Sequence, residues 1–308
     1  MALLCFLLTA FGAEEPYHWP LDLPRALTSS FGEYRSGRFH MGIDLRTGGI
    51  GKPVFAAADG YVSRLRCSPY GYGKAVYLQL NDGHTAVYGH LDGFIPEYES
   101  YLRAAQHARE DYTVDLYPEA ARFPVTKGQL IAYSGDTGVG VPHLHYELRE
   151  GADCINPRLL DVDWPDTTRP EIRKILIAPR APGDYVNGDI LPLVVEPKSL
   201  GGGRYQCAPV SVSGTVGFGM DLVDPANGGA TKLDIYRIEA RVGDTLLFRS
   251  QRDRLSYDTY SGGAVTWHPF LMDQGRFQLL WQWPGNDAGI ITTAINSGWL
   301  EMGAEPLV

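Results

Sequence analysis

Apolar and polar residues alternate along much of the segment 26–149, which is the pattern of half-buried β-strands. In the clearest case, a strand at 76–80 leads through the turn Asn81-Asp82-Gly83 into a return strand at 84–90. A further strand signal follows the turn Lys127-Gly128, at 129–133. We therefore predict an antiparallel β-sheet over this part of the chain.

Residues 92–123 interrupt the strand pattern. Between Glu97 and Glu110 apolar residues recur at helical spacing, so that one face of a helix would carry Tyr98, Tyr101, Leu102 and Ala105. We predict a short helical insertion beside the sheet, placed to cover one end of a groove on this domain.

A second domain is predicted after residue 170. The stretch 164–170 is polar and rich in proline, as linkers are, and it separates a first domain at 14–163 from a second at 171–308. In the second domain, alternation over 236–242 followed by the turn Gly243-Asp244 and the apolar segment 245–248 predicts another hairpin, and we interpret the domain as a β-sandwich. The last residues form no polar tail, which leaves open whether this domain is complete.

The composition agrees with a folded, turn-rich β protein, because 36 Gly and 21 Pro accompany 44% apolar and 20% charged residues. The formal net charge of -9 opposes sequence-independent binding to the phosphate backbone of a nucleic acid. We therefore expect no nucleic acid among the partners.

Residues 1–13 are uncharged, largely apolar and end in small residues, which is the outline of a secretory signal peptide. The usual basic start is missing, which leaves open a truncated beginning, and a buried or disordered N-terminus is the alternative. No later segment has the length and hydrophobicity of a transmembrane helix. We expect an exported protein, in the periplasm or at the cell surface.

Removal of the signal segment would leave Cys67, Cys154 and Cys207, so at most one internal disulfide can form and its pairing stays open. None of the three belongs to a Cys-x-x-Cys pair, which argues against a structural zinc site. We expect these thiols to act as small buried apolar groups.

A candidate for chemistry lies at residues 38–45, where His40, Gly42 and Asp44 share one face of an alternating strand. In a straight strand the Cα atoms of His40 and Asp44 would lie roughly 13 Å apart, slightly too far to share one ion. We therefore expect a bend at Gly42, and glycine also opposes a helix here. A His and an Asp four residues apart also occur by chance.

A second candidate is the alternating segment 143–149, which turns His143, His145 and Glu147 to one side of a strand. The two histidines then stand roughly 7 Å apart on one face. One imidazole can bind a metal ion while the other accepts a proton from water. The alternative is a pair of solvent-facing histidines on an edge strand.

His90 ends the return strand of the first hairpin, where a lone histidine is ordinarily a core or rim residue. Two neutral histidines and one carboxylate would leave zinc a position for water, which distinguishes a catalytic site from a structural one. The remaining histidines are assigned no role: His18, His84, His107 and His268.

The motifs His-x-x-x-Asp, Tyr-x-His-Leu and His-Leu-His, in this order, resemble those of the lysostaphin and LytM type zinc endopeptidases, which cleave peptidoglycan peptides. The resemblance covers residues 27–157. It implies a LytM-type fold, the duplicated hybrid motif, for the first domain. It also implies zinc as the cofactor and peptidoglycan peptides as the substrate.

The resemblance further implies a role for each motif residue. His40, Asp44 and His145 would hold the zinc. His143 would take a proton from the attacking water, and His90 would stabilise the tetrahedral intermediate.

Several alternatives remain open. The segment 138–142, which leads into His143, is shorter than the corresponding segment usual in the family. The shape of the cleft wall that it would form is therefore not predicted. Glu147 would be either a hydrogen-bonding partner within the site or a surface carboxylate. The rival functions are a metal-binding module that binds or regulates without hydrolysis, a different zinc hydrolase, and a structural β-scaffold. The sequence indicates no partner for the second domain.

Overall fold

The computed structural model describes residues 15–35, 37–227 and 231–302. Strands account for 44% of the residues and helices for 10%, which confirms the predicted mainly β fold. The predicted signal peptide, residues 1–13, lies outside the described residues.

The described residues of the N-terminal region, 15–35 and 37–163, form thirteen strands and the α-helix α1 (Pro96–Arg109), followed by a 3-10 helix at Pro157–Leu160. Its strands are β1 (Leu27–Ser29), β2 (Tyr34–Arg35), β3 (Arg38–Phe39), β4 (Ile43–Leu45), β5 (Pro53–Phe55), β6 (Gly60–Cys67), β7 (Lys74–Leu80), β8 (Thr85–Phe94), β9 (Val114–Leu116), β10 (Pro124–Val125), β11 (Leu130–Ser134), β12 (Leu144–Glu150) and β13 (Asp153–Ile155).

The main sheet of this region is antiparallel, and its central path runs β1-β4-β12-β8-β7-β6-β10. β7 and β8 form the predicted hairpin, with Gln79 opposite Thr85 beside the turn. β12 pairs with β4 on one side and with β8 on the other, so it is an interior strand. This order places the strands that carry or adjoin the three motifs side by side.

Helix α1 is the predicted insertion. It begins with Pro96 in its first turn and ends at Arg109, and the backbone of the following Glu110 is left-handed. Tyr98 and Leu102 are buried, and the ring of Tyr98 packs edge-on against Phe123 with centroids 5.1 Å apart. Within the described residues, no helix has both the length and the apolar character needed to cross a membrane.

The C-terminal region, residues 171–302, consists mainly of short strands with 3-10 helices at Tyr260–Val265 and Ile295–Gly298. Its strands are β14 (Glu171–Pro179), β15 (Tyr185–Val186), β16 (Leu193–Val195), β17 (Lys198–Gly201), β18 (Arg204–Gln206), β19 (Val212–Ser213), β20 (Thr215–Pro225), β21 (Lys232–Leu233), β22 (Arg237–Val242), β23 (Thr245–Gln251), β24 (Arg254–Ser256), β25 (Phe277–Leu279), β26 (Ile291–Ala294) and β27 (Leu300–Glu301).

Two sheets pack against each other in this region. One contains β14, β16, β20, β21, β25 and β27, and the other contains β22, β23 and β26. Phe218, Met220 and Leu222 on β20 share an apolar cluster with Ile238 and Phe248 of the second sheet. This packing agrees with the predicted β-sandwich, and β22 with β23 is the predicted hairpin.

Strand β24 joins the two regions. It pairs antiparallel with β13, with Leu255 opposite Cys154, so the C-terminal region adds a strand to the N-terminal sheet. Residues 164–170 contain no helix or strand. The division into two domains at this stretch stays a prediction.

Cys67, Cys154 and Cys207 are all free thiols. Cys67 and Cys154 are buried, as expected, whereas Cys207 is half-buried. Among the cysteines that the structure describes, none is joined in a disulfide.

Candidate metal centre

His40 and Asp44 meet because the chain bends between them. β3 ends at Phe39, the chain bends at Gly42, and β4 begins at Ile43. The bend brings Nε2 of His40 to 3.1 Å from Oδ1 of Asp44. The expected bend is therefore present, and it places both donor atoms within reach of one ion.

Gly42 has a steric reason to be glycine. A Cβ atom at this position would lie 2.5 Å from the carbonyl oxygen of Tyr146 and 2.9 Å from Cε1 of His145. Any larger residue would push the bend away from β12. The glycine therefore sets the distance between the first motif and the strand that carries His145.

His145 completes a cluster of three donor groups. It lies opposite Asp44 in the pairing of β12 with β4. Its Nδ1 is 2.9 Å from Oδ1 of Asp44 and 3.0 Å from Nε2 of His40. One ligand atom from each residue lies within 4.8 Å of the others, so this trio could hold a metal ion. Because β12 is an interior strand and both His145 and the preceding His143 are buried, the alternative of solvent-facing histidines on an edge strand is wrong.

The electrostatics of the trio follow from its burial, since all three residues are at most 4% exposed. Burial alone would raise the pKa of Asp44, but His40 and His145 outweigh it and hold that pKa well below its usual range. Burial lowers the pKa of His40. Burial also opposes the charged form of His145, but its bonds to Asp44 and Glu147 prevail and raise its pKa to about 9. Asp44 is therefore an ionised carboxylate at neutral pH.

Glu147 is a buried partner of His145, which excludes the surface-carboxylate alternative. Its side chain is fully buried, and Oε1 lies 2.6 Å from Nε2 of His145. Its other oxygen, Oε2, accepts a hydrogen bond from Nε of Arg149 at 2.6 Å. Because Glu147 takes Nε2 of His145, Nδ1 is the nitrogen that faces His40 and Asp44.

His143 stands beside the trio with one nitrogen unpaired. Its Nδ1 lies 2.8 Å from the carbonyl oxygen of Val141. Its Nε2 is buried, has no hydrogen-bond partner among the described residues, and lies 3.6 Å from Oδ1 of Asp44. A buried nitrogen without a partner is rare in folded proteins, so this atom indicates a site that accepts a further group.

The imidazole ring of His90 packs against that of His143, with ring centroids 4.7 Å apart. Its Nδ1 lies 2.9 Å from the carbonyl oxygen of Thr137. Burial lowers the pKa of His90 to about 4. Its backbone has a φ of +60°, a conformation that costs free energy in a non-glycine residue and is concentrated at functional sites.

A cavity of about 220 Å³ is lined by His40, His90 and His145. The further lining residues that the sequence did not assign include Arg35, Tyr72, Tyr257 and Tyr260. Arg35 donates hydrogen bonds to Oδ2 of Asp44 and to Ser29. Tyr72 had a sequence signal, since it stands between two glycines just before the hairpin that ends in His90. Tyr257 and Tyr260 had none, because only folding brings the C-terminal region here.

Val139, from the short segment 138–142 that precedes His143, also lines this cavity. Helix α1 lies elsewhere: it packs on β8 and β9, and none of its residues, all described, contributes to the lining. The expectation that the insertion covers one end of the groove is therefore wrong for this cavity. The walls come instead from strands and turns of the N-terminal region and from Tyr257 and Tyr260 of the C-terminal region.

The donor set fits a divalent zinc ion. Two imidazole nitrogens and one carboxylate oxygen are zinc ligands, and three protein ligands leave a position for water or substrate. Glu147 bonds to Nε2 of His145 and Arg35 to Oδ2 of Asp44, the atoms of these two residues that the trio does not use, as partners of metal ligands commonly do. The unpaired Nε2 of His143 lies beside these donor atoms, 3.6 Å from Oδ1 of Asp44.

Residues 38–106 match the family model described as Peptidase family M23. Over these residues the chain is similar to peptidase family M23. The match confirms the resemblance to peptidases of the lysostaphin and LytM type. The M23 segment contains His40, Asp44 and His90, whereas His143 and His145 follow it in the chain.

Three curated proteins are similar to part of the chain. An "Uncharacterized metalloprotease" of Haemophilus influenzae is 32% identical over 157 residues, which cover 49% of this chain and 28% of that protein. The "DD-carboxypeptidase/endopeptidase Mpg" of Neisseria meningitidis serogroup B is 30% identical over 133 residues, 43% of this chain and 25% of that protein. The "Murein hydrolase activator NlpD" of Salmonella dublin is 27% identical over 141 residues, 46% and 30% of the two chains.

The aligned part spans less than a third of each of these relatives. Part of the chain is thus similar both to peptidases and to an activator of murein hydrolases.

Proposed function

We propose that this protein is a zinc-dependent endopeptidase that hydrolyses cross-links or stem peptides of bacterial peptidoglycan. The observation that carries the proposal is the trio His40, Asp44 and His145, whose donor atoms converge beside the unpaired nitrogen of His143. The similarity to a metalloprotease and to the carboxypeptidase and endopeptidase Mpg supports it. In this proposal the three residues of the trio are the zinc ligands.

Zinc at this position would supply a Lewis acid that polarises the scissile carbonyl. His143 acts as the general base: its Nδ1 is engaged by the carbonyl of Val141, so its Nε2 is free to take a proton from the attacking water. The same nitrogen then returns the proton to the leaving amine.

His90 stabilises the tetrahedral intermediate in this mechanism. Its Nδ1 is engaged by the carbonyl of Thr137, which leaves Nε2 for the cavity. Nε2 can donate a hydrogen bond to an oxyanion only when it carries a proton, because a neutral imidazole has one donor and one acceptor. Burial lowers the pKa of His90 to about 4, so its imidazole is neutral near pH 7, and it would take up this proton only as the negative charge of the intermediate develops beside it.

The organisation of the chain is part of the same proposal. Residues 1–13 would be a signal peptide for export to the periplasm or cell surface. The peptidase domain would occupy 14–163, and the linker 164–170 would lead to a β-sandwich domain at 171–308.

Digestion of purified peptidoglycan tests the proposal. The full chain loaded with zinc is incubated with the polymer, and released fragments are identified by mass spectrometry. We expect peptide-bond cleavage that a chelator abolishes and added zinc restores. Products of a different bond, such as the amide between sugar and peptide, would instead identify another zinc hydrolase.

A second candidate is an activator that binds the cell wall without hydrolysis, which the similarity to NlpD favours. Intact peptidoglycan after incubation with the zinc-loaded protein, together with stimulation of an added murein hydrolase, would support this candidate. The complete set of His40, Asp44, His145, His143 and His90 favours the peptidase.

A further inference from the structure

The C-terminal region reaches the metal centre through residues that follow β24. Leu255 is buried in the same apolar core as the N-terminal sheet. Arg254 forms ion pairs with Glu150 and Asp153 on the neighbouring strands. Strand β24 is therefore held against the N-terminal sheet by a buried side chain and by ion pairs, immediately before Tyr257.

Tyr257 contacts the partner of a predicted zinc ligand. Its hydroxyl lies 3.0 Å from Oε1 of Glu147, which is the oxygen that holds Nε2 of His145 at 2.6 Å. Nη2 of Arg149 donates to the same hydroxyl at 3.0 Å, and the guanidinium stacks 4.7 Å from the ring centroid. Tyr72 also bonds to both Glu147 and Tyr257.

The hydroxyl of Tyr257 restricts the position of Glu147. The carboxylate is fully buried, so each of its oxygens needs fixed donors, and an oxygen without them would be free to turn. Groups that hydrogen-bond to metal ligands set ligand orientation, and their loss commonly costs 10- to 100-fold in affinity or activity. Tyr257 acts one bond further out, through Glu147.

We propose that Tyr257, supplied by the C-terminal region, is a positioning residue for the metal centre: it fixes Glu147 and thereby the orientation of the His145 imidazole. The second region is then part of the catalytic machinery and more than a docking module. This inference rests on the proposed function, because His145 is taken as a zinc ligand.

The test compares Tyr257→Phe with wild type in the full chain. Zinc affinity is measured by competition with a chromophoric chelator, and the coordination of Co2+ by its visible absorption spectrum. We expect Tyr257→Phe to bind zinc about tenfold more weakly and to shift the Co2+ spectrum. The matched control is Tyr236→Phe, whose hydroxyl bonds to Asp253 outside the cavity and whose loss should change neither measurement.

A double variant separates positioning from general destabilisation. If Tyr257 acts through Glu147, adding Tyr257→Phe to Glu147→Gln should cause little further loss of zinc affinity, because the two effects are not additive. Wild-type affinity and spectrum in Tyr257→Phe, or full additivity in the double variant, would overturn the inference. Failure of the wild type itself to bind zinc or cleave peptidoglycan would instead count against the proposed function.

Discussion

At Gly42 the bend that follows β3 passes directly against β12. The space for a Cβ atom is filled by the carbonyl of Tyr146, the side chain of Glu147 and the ring of His145. Backbone and buried rings cannot give way as the end of a flexible side chain can. The spacing of His40, Asp44 and His145 therefore depends on the absence of one methyl group.

Gly42→Ala should weaken both the fold and the metal centre. Overpacking of this kind costs about 1–3 kcal/mol, and the added methyl would displace the ring of His145 from Asp44. We expect a lower free energy of unfolding in urea and a reduced zinc content. The matched control is Gly93→Ala on β8, where a Cβ would meet nothing within 4 Å. Equal behaviour of the two variants would contradict this account of Gly42.

Asp224 should give the stability a dependence on pH that is independent of the metal centre. One of its oxygens is buried without a hydrogen-bond partner among the described residues. Burial, together with the charge of Asp166, raises its pKa from 3.8 to about 6, although Arg158 opposes the shift. The folded state therefore binds this proton more tightly than the unfolded state, and stability falls as the pH rises from 3.8 to about 6.

Asp224→Asn removes the titrating charge. Two pKa units correspond to about 3 kcal/mol, and because the group is only half-buried, solvent screening reduces the expected gain to about 1 kcal/mol above pH 6. Below pH 4 the variant and the wild type should be equally stable. Urea unfolding at several pH values measures the difference, and a difference that does not change with pH would contradict the prediction.

Among the secondary-structure elements, β12 carries most of the site, and its pattern was readable in the sequence. Leu144, Tyr146 and Leu148 are fully buried in the core, and the intervening His145 and Glu147 face the centre, as period-two alternation predicts. The hairpin β7–β8 and helix α1 were predicted for the same reason, since each has a local period. The position of α1 away from the cavity depends on packing, which no local pattern encodes.

Helix α1 should contribute to stability and not to catalysis. Leu102→Ala removes a side chain that is 1% exposed in the core, which should cost about 2–5 kcal/mol of unfolding free energy. Because α1 does not line the cavity, turnover per folded molecule should be unchanged at low temperature. The exposed neighbour Arg103→Ala is the control for stability. A specific loss of turnover in Leu102→Ala would place the helix at the substrate.

At the scale of the molecule, Arg252 connects the two regions. It is completely buried, and Nε donates to the carbonyl of Gly32 at 3.0 Å, while Nη2 donates to Gln278 at 3.0 Å and lies 3.5 Å from Asp234. Nη1 donates to the carbonyl of Ile235. One guanidinium therefore satisfies acceptors from both regions.

Arg252→Ala should destabilise the whole chain by about 3–5 kcal/mol, because it leaves a buried carboxylate and buried carbonyls without their donor. The control is Arg254→Ala, two residues along, whose ion pairs with Glu150 and Asp153 are exposed and should be worth about 0–1 kcal/mol. Thermal unfolding of both variants measures the effect. A small loss in Arg252→Ala would show that the two regions do not depend on this contact.

The contacts between the regions also mark what the sequence could not predict. Tyr257 reaches Glu147 across 110 positions and Arg252 reaches Gly32 across 220. Neither residue stands in a motif or a periodic pattern that indicates its partner. The three histidine motifs were found because each occupies a short segment, whereas Tyr72, Tyr257 and Arg252 acquire their roles from tertiary structure.

The central claim is that His40, Asp44 and His145 hold one zinc ion while His143 acts as the general base. The zinc content of purified variants tests this claim most directly. Inductively coupled plasma mass spectrometry should find about one zinc per chain in the wild type and in His143→Ala, which should nevertheless lack turnover. His145→Ala and Asp44→Ala should lose the metal and the activity together. A zinc-free His143→Ala, or a fully loaded His145→Ala, would contradict the account.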